Sequence, residues 1–389
     1  MADGPRPIRR VVTGRDERGR SGVLWDGPAP NAIGAPVRAG AGMTDLWVYH
    51  RSPALISGER DDGHLPYSFD PPPDGGHLRI VQSQGRPPGY DPAADPRVVP
   101  AHEPRLRPDS TTWDRGGANS FSSPVHKTET VDYGIVLQGE RTLLLDDREL
   151  VMRPGDVVVQ VGNWHGWTNP REGSLMAFVM MGGTFRGQSA AAPAGAAQGS
   201  EPAGSTLPDG VRPVRRIVTI DGEDGKSTAV QDGPSPAVRT DPARPGYAAT
   251  RLWVTTTTPA PIEGVRETLH LPHTLEPPPR GSVCRIVTFP PDATWSGKVG
   301  AKQVAAYFAG MGSPGASTYS PQARHPYMQQ TRTLDFCLVL EGEITLVLDT
   351  AEVHLRPLDA VIQRGTNHAW SNRSNQPCVV AFSCHDATY

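Results

Sequence analysis

The stretch that decides the fold is residues 126–169, HKTETVDYGIVLQGERTLLLDDRELVMRPGDVVVQVGNWHGWTN. Its β-branched residues alternate or cluster in short runs between a glycine turn and a Pro-Gly-Asp turn, which predicts a series of short strands. Residues of equal parity share one face of a strand. A single first strand is therefore expected to line one side with His126, Thr128, Thr130 and Asp132. A last strand ending at His165 would bring a second imidazole to the same point.

The same sequence pattern occurs twice along the chain. TETVDYGIVLQGERTLLLD (128–146) recurs as TRTLDFCLVLEGEITLVLD (331–349), and VVVQVGNWHGWTN (157–169) recurs as AVIQRGTNHAWSN (360–372). Near the beginning, RPIRRVVTG (6–14) recurs as RPVRRIVT (212–219). Because the blocks keep their order, the chain is a tandem duplication, and each copy is one structural unit.

The repeat predicts two domains in the 389 residues. We expect an N-terminal domain over 1–187, a flexible linker over 188–211 and a C-terminal domain over 212–389. The linker prediction rests on a stretch of Ala, Gly, Ser and Pro that is nearly free of large apolar residues.

Each copy opens with an extended segment, RRVV or RRIV, which we expect to pair with the neighbouring repeat or to close a barrel edge. Each copy also has a variable insert. Residues 86–123 are rich in Pro, Asp and Arg and are expected to form a long irregular loop, whereas 302–308 (KQVAAYF) would suit a short helix. Many short strands with turns between them favour an all-β sandwich or jelly roll.

Composition narrows the classes of function. A formal net charge of -3 gives no electrostatic reason to expect nucleic acid or an anionic membrane surface as a partner. The four cysteines all lie in the second half and form no CxxC pair, so we expect free thiols in a reducing cytoplasm. No stretch approaches the roughly 20 apolar residues of a membrane span. The expectation is a soluble, cytoplasmic protein.

These motifs resemble the cupin superfamily in its two-domain, bicupin form. The spacing from Asp132 to Gly139, the Pro-Gly-Asp turn, and His165 followed after three residues by Asn169 carry the resemblance. The blocks T-x-T-x-D-Y and G-x-x-H-x-W-x-N are similar to a subgroup of small bacterial and fungal cupins. The resemblance implies two tandem double-stranded β-helix (jelly-roll) barrels with short helices and long loops.

It also implies a metal site in the N-terminal barrel, with His126, Asp132 and His165 as ligands and catalytic residues. Two imidazoles and one carboxylate are the ligand set of non-haem Fe(II) oxygenases, and they would equally serve a catalytic zinc. We therefore expect one divalent metal, Fe(II) first, with Zn, Mn or Ni as alternatives. The predicted substrate pocket comprises Thr128, Thr130, Gln160 and Trp167.

The ligand pattern departs from the family in both copies. Thr128 stands where the family has its second histidine, and Asp132 replaces a longer Glu. The alternative is that these two residues satisfy backbone groups, leaving two histidines in a polar pocket. In the second copy the equivalents are Gln329, Asp335 and His368, so we expect that barrel to be degenerate, with a structural or ligand-binding role.

The functional prediction is a metal-dependent bicupin enzyme, an Fe(II) oxygenase acting on a small aromatic or polyketide-like oxygenated metabolite. The alternatives are a zinc-type cyclase or isomerase of secondary metabolism, or a non-catalytic bicupin that binds a small molecule. A small-molecule substrate is thus the expected partner, without nucleic acid or membrane. The resemblance also allows a homodimer.

Overall fold

The structure is a computed structural model that describes residues 4–34, 41–169, 171–186, 206–264 and 266–389. The first copy supplies fifteen of the described strands: β1 (Arg9–Arg15), β2 (Ser21–Pro28), β3 (Asn31–Gly34), β4 (Gly42–Tyr49), β5 (Ala54–Leu55), β6 (Gly76–Ser83), β7 (Arg105–Leu106), β8 (Thr112–Asp114), β9 (His126–Thr128), β10 (Thr130–Gln138), β11 (Arg141–Leu144), β12 (Glu149–Met152), β13 (Val157–Val161), β14 (Gly166–Thr168) and β15 (Ser174–Phe185).

The described residues of the second copy repeat this order without counterparts of β7, β8 and β9: β16 (Arg215–Asp221), β17 (Ser227–Pro234), β18 (Val238–Thr240), β19 (Ala248–Thr255), β20 (Ala260–Ile262), β21 (Ser282–Phe289), β22 (Thr333–Glu341), β23 (Ile344–Leu348), β24 (Glu352–Leu355), β25 (Ala360–Arg364), β26 (His368–Ser371) and β27 (Cys378–Thr388). Its insert holds α1 (Ala301–Gly310), which confirms the predicted helix. The described part of the chain is otherwise strands, turns and short 3₁₀ segments, so the all-β prediction is confirmed.

Each barrel consists of a large sheet facing a small one. The N-terminal barrel has the order β17-β16-β13-β10-β15-β6-β4-β3, opposite the three-stranded sheet β12-β11-β14. The C-terminal barrel has the order β18-β19-β21-β27-β22-β25-β1-β2, opposite β24-β23-β26. A further small sheet, β7-β8-β9, ties the first insert to the strand that begins at His126.

The two copies exchange their opening hairpins. Strand β1 of the first copy pairs in parallel with β25 of the second, and β16 of the second copy pairs in parallel with β13 of the first. Cross-copy ion pairs reinforce both junctions: Arg9 with Asp359 at 2.8 Å, and Arg215 with Asp156 at 3.0 Å. The expectation that the opening strands pair with the neighbouring repeat is confirmed.

The exchange also carries apolar side chains into the other barrel. Val11 of β1 belongs to the cluster that fills the C-terminal barrel, together with Val361 and Phe382. Ile217 of β16 packs in the N-terminal barrel with Val158 and Phe178. Each core is therefore completed by a hairpin of the other copy, and burial of these side chains favours the exchanged arrangement.

Two details of the predicted strands are wrong. His126 and Asp132 do not share one strand, because β9 pairs with β8 of the insert whereas β10 pairs with β13 and β15. The break falls at Glu129, whose carbonyl accepts a hydrogen bond from the backbone of Gly183 at 2.7 Å. The strand expected to end at His165 is β13, which ends four residues earlier at Val161.

Other predictions concern parts of the chain that the structure describes only partly. Residues 188–205 of the predicted linker lie outside the described residues, and the domain boundaries remain a prediction. All four cysteines are buried free thiols, as expected. Among the described residues, no helix has the length and apolar character that crossing a bilayer requires.

Candidate functional site

The site is built around two histidines that backbone pairing places side by side. The amide of His126 donates to the carbonyl of His165 at 2.8 Å, and the amide of His165 donates to the carbonyl of His126 at 2.9 Å. Their imidazole rings lie with centroids 4.5 Å apart and planes inclined by 53°. The convergence predicted for these two residues is thus present in the structure.

Hydrogen bonds to the backbone define the tautomer of both rings. Nδ1 of His126 lies 2.8 Å from the carbonyl of Pro124, and Nδ1 of His165 lies 3.0 Å from the carbonyl of Asn163. A carbonyl can only accept, so each Nδ1 carries the proton and each Nε2 keeps its lone pair. This is the arrangement in which histidines bind metals, because the backbone orients the ring and the other nitrogen is free to coordinate.

Burial keeps both rings uncharged. It lowers the pKa of His126 to about 4, the strongest influence being desolvation of the imidazolium. Burial lowers the pKa of His165 well below its ordinary value, and the neighbouring His126 lowers it further. At neutral pH the site therefore presents two neutral imidazoles, which is the protonation state that a metal ligand needs.

Asp132 is a buried carboxylic group with an unused oxygen. Its side chain is 5% exposed, and Oδ1 has no hydrogen-bond partner. Burial raises its pKa to about 7, with the negative charge of Asp70 adding to the effect. Gln160 lies opposite it in the β10–β13 register, and neither amide atom of this residue is partnered. The barrel interior here contains polar groups without protein partners.

The threonines predicted for the pocket are buried at the edge of this interior. Thr112 donates to Asp70 at 2.7 Å and lies 2.9 Å from the hydroxyl of Thr128. Because a hydroxyl has one proton, Thr128 is the donor in that second bond. Its side chain therefore joins the insert to β9. Thr130 is 2% exposed and, by hydrogen bonding, favours the ionised form of Asp132.

Trp167 both contacts the site and packs in the core. Its ring meets that of His165 edge-on, with centroids 6.0 Å apart, and that of Phe178 at 5.5 Å. Trp167, predicted as a pocket residue, therefore lies beside His165. The position also explains why the indole is only 5% exposed.

The exchanged hairpin of the second copy supports the loop that carries His165. Thr219 donates to the side-chain carbonyl of Asn163 at 2.8 Å, and the amide of Trp164 donates to Asp221 at 2.8 Å. Asp221 also pairs with Lys127, next to His126, at 3.1 Å. No sequence motif pointed to Thr219 and Asp221 as positioning residues. The signal for them is the RRIV segment, because its pairing with the first copy brings the residues that follow it to this loop.

In the second copy, Gln329 and His368 occupy the places of the two histidines. The same backbone bridge joins them, and Nδ1 of His368 again faces a backbone carbonyl, that of Thr366, at 2.9 Å. Nε2 of His368, however, lies 3.3 Å from the side-chain nitrogen of Gln329. Since that Nε2 is the acceptor, the amide occupies the lone pair that a metal would use.

The fit of a metal to these residues is partial. The two neutral imidazoles of the first barrel are suitable donors, whereas no group of three or more His, Cys, Asp or Glu side chains in the described ranges is arranged to hold a metal ion. The structure assembles His126 and His165, but it does not bring Asp132 into a common ligand group with them. The three-ligand set remains a prediction.

Comparison with known proteins identifies the two barrels. Residues 115–181 and 315–384 match the family described as Cupin domain. The chain contains two tandem cupin domains. Both matched segments include the histidine that is shared by the two copies, so the cupin region coincides with the sites described above.

Curated relatives resemble a short part of the chain. A phomopsin biosynthesis cluster protein of Diaporthe leptostromiformis is 51% identical over 49 residues, which cover 12% of this chain and 26% of that protein. A cupin-domain-containing oxidoreductase of Hypocrea virens is 50% identical over 53 residues (13% and 27%), and one of Aspergillus ruber is 42% identical over 69 residues (16% and 34%). The matches thus span about a quarter to a third of the length of these relatives.

A solved structure resembles the chain over most of its length, but only loosely. AerE from Microcystis aeruginosa covers 92% of this chain and 97% of its own, with 10% sequence identity and a TM-score of 0.35. At this level the likeness has no bearing on activity.

Proposed function

We propose that the N-terminal cupin domain is the active site of a metal-dependent oxidoreductase. One divalent ion, Fe(II) foremost, would be held by Nε2 of His126 and Nε2 of His165. The substrate class would be a small aromatic or polyketide-like oxygenated metabolite. The observation that carries the proposal is the pair of adjacent neutral imidazoles, each with Nδ1 bound to a backbone carbonyl.

The names of the relatives support the reaction class and the metabolic setting. Two of them are called oxidoreductases, and another is a biosynthesis cluster protein. When bound, such a metal supplies a Lewis-acidic centre with open positions, and iron adds redox chemistry with O₂.

The protein's own residues would perform the remaining tasks. Asp132 has a pKa of about 7 because of its burial, so its carboxyl can hold or release a proton near neutral pH, as general acid–base catalysis requires. We assign it this role ahead of that of third ligand, because it does not join the histidines in a ligand group. The ring of Trp167, edge-on to His165, would limit the space for a planar substrate and exclude water.

Titration with Co(II) tests the metal site directly, because histidine ligation gives visible absorption bands that aqueous Co(II) lacks. We expect the bands for the wild type and for His368→Ala, and their loss in His126→Ala and His165→Ala. Equal bands in all four proteins would contradict the assignment of the site to the N-terminal barrel.

Oxygen uptake then tests the reaction class. The Fe(II)-loaded protein, offered a panel of catechols and 1,3-diketones, should consume O₂ in a manner that requires His126. Conversion of the same compounds by the zinc-loaded protein without O₂ uptake would favour the cyclase or isomerase alternative. No conversion with either metal would favour the non-catalytic alternative.

A further inference from the structure

Different segments cover the histidine sites of the two barrels. In the first copy, the insert forms the hairpin of β7 and β8, which pairs with β9, the strand that begins at His126. In the second copy, the corresponding stretch of sequence holds α1 and a segment in which Ser317 bridges Gln329. Both histidines are buried, since His126 is 9% exposed and His368 is 3% exposed. The two covers differ, however, in what fastens them.

The cover of the second site is held by apolar packing. The hydrophobic cluster that fills the C-terminal barrel includes side chains from residues 290–330, namely Trp295, Val304, Phe308, Met311, Ala316 and Tyr327. Burial of apolar surface is the dominant stabilising contribution in a folded protein. The segment over the second site is therefore part of the core of its barrel, and it cannot move away without exposing that core to water.

The hairpin over the first site has no apolar anchor of this kind. From residue 82 to residue 130, all of which the structure describes, no apolar side chain is buried and none belongs to a hydrophobic cluster. Leu106 of β7 and Trp113 of β8 lie opposite each other and are 49% and 36% exposed. Segments with few buried apolar contacts are the ones that open locally at low cost in free energy.

Hydrogen bonds to one carboxylate hold this hairpin in place. Oδ2 of Asp70 accepts from the hydroxyl of Ser110 and from the amide of Thr111, both at 2.6 Å. Oδ1 of Asp70 accepts from the hydroxyl of Thr112 at 2.7 Å. Asp70 lies before β6, outside the insert, so these bonds join the hairpin to the rest of the barrel. They are charge-assisted and therefore strong, but all of them depend on a single side chain.

The hairpin lies directly beside the first histidine. Asp114 of β8 pairs with His126 of β9. The ring of Phe69 meets that of His126 edge-on, with centroids 6.0 Å apart, and the guanidinium of Arg107 lies 5.1 Å from the centroid of Phe69. Arg107 in turn pairs with Asp114 at 2.7 Å. Movement of the hairpin would therefore carry Arg107 and Asp114 away from the imidazole and its aromatic neighbour.

We propose that the β7–β8 hairpin, residues 105–114, is a gate that opens and closes over the site of the first barrel, and that Asp70 is the residue that holds it closed. The cover of the second barrel stays closed, because its apolar side chains belong to the core. As an entrance for substrate the gate rests on the proposed function. Its opening is a property of the polypeptide alone, so it can be tested in the absence of metal.

Diethyl pyrocarbonate measures the opening, because it acylates neutral imidazoles that solvent can reach. The sample is the full-length protein in EDTA at pH 7, and peptide mass spectrometry gives a rate of modification for each histidine. We expect His126 of the wild type to react faster than His385, which is 1% exposed and lies outside the gate. Asp70→Asn should raise the rate at His126 about tenfold, because it removes the charge that strengthens the bonds of the hairpin. The rates at His368 and His385 should not change, which excludes global unfolding as the cause.

The matched control is Asp95→Asn. Asp95 accepts from the hydroxyls of Tyr90 and Ser120, so it joins parts of the insert outside the hairpin. This substitution should leave the rate at His126 unchanged.

A disulfide between β8 and β9 provides the opposite test. The hydroxyls of Thr112 and Thr128 lie 2.9 Å apart across the two strands, so Thr112→Cys combined with Thr128→Cys should allow a disulfide to form there. The oxidised double variant should react more slowly at His126 than the wild type, and dithiothreitol should raise the rate again. Equal rates in the wild type, Asp70→Asn and the oxidised double variant, or no modification of His126 in any of them, would overturn the proposal.

Discussion

The raised pKa of Asp132 makes a quantitative prediction about stability. A carboxyl with a pKa near 3.8 in the unfolded chain and about 7 in the folded barrel takes up a proton on folding. The free energy of unfolding must then decrease as the pH rises from about 4 to about 7, because ionisation is less favourable in the folded state. A tenfold difference between the two acid dissociation constants corresponds to about 1.4 kcal/mol. Above pH 7, the buried carboxylate should therefore cost about 4 kcal/mol.

The substitution Asp132→Asn removes this cost without changing the size of the side chain. The variant should be more stable than the wild type by about 4 kcal/mol at pH 8 and by less than about 1 kcal/mol at pH 4. Urea unfolding in EDTA at the two pH values measures the difference, and EDTA prevents a bound metal from stabilising the carboxylate.

A matched control lies in the other barrel. Burial raises the pKa of Asp335 to about 6, so Asp335→Asn should show the same trend with a smaller gain, about 3 kcal/mol at pH 8. If Asp132→Asn were no more stable at pH 8 than at pH 4, relative to the wild type at each pH, the carboxyl would not be a desolvated group. Its proposed role in proton transfer would then lose its basis.

Three further predictions concern the exchanged hairpins and the degenerate site. Ile217→Ala, although in the second copy, should lower the free energy of unfolding of the N-terminal barrel by about 2–5 kcal/mol and speed amide hydrogen exchange in β13 and β10. Faster hydrogen exchange confined to the C-terminal barrel would show that the hairpins are not exchanged between the copies. Asp221→Ala should weaken metal binding about 10-fold, read from a Co(II) titration, because it releases the amide of Trp164 beside His165; unchanged affinity would show that Asp221 does not position the loop. Gln329→His should free Nε2 of His368 and raise the metal content toward about two ions per chain; a content that stays at the wild-type value would show that two histidines do not suffice.

The part of the site that the sequence predicts is the part that strand parity controls. His126, Thr128, Thr130 and Asp132 are all buried, while Lys127 and Glu129 between them are partly exposed. The alternation of buried and partly exposed residues therefore continues through the break between β9 and β10. Parity does not indicate, however, which strand each segment pairs with. Because β9 and β10 pair with different strands, His126 and Asp132 lie on separate strands.

The remaining features depend on contacts that no local pattern shows. The role of Asp221 beside His165 follows from the hairpin exchange, which joins Asp221 to Trp164, 57 positions earlier in the chain. Burial, which decides the pKa of each group, likewise becomes known only with the fold.

The metal content of the purified protein tests the central claim most directly. Elemental analysis should find about one divalent ion per chain in the wild type and in His368→Ala, and little or none in His126→Ala and His165→Ala, since each removes one of the two nitrogen ligands. Metal that persists in both first-barrel variants, or that disappears in His368→Ala, would contradict the assignment of the metal site to His126 and His165.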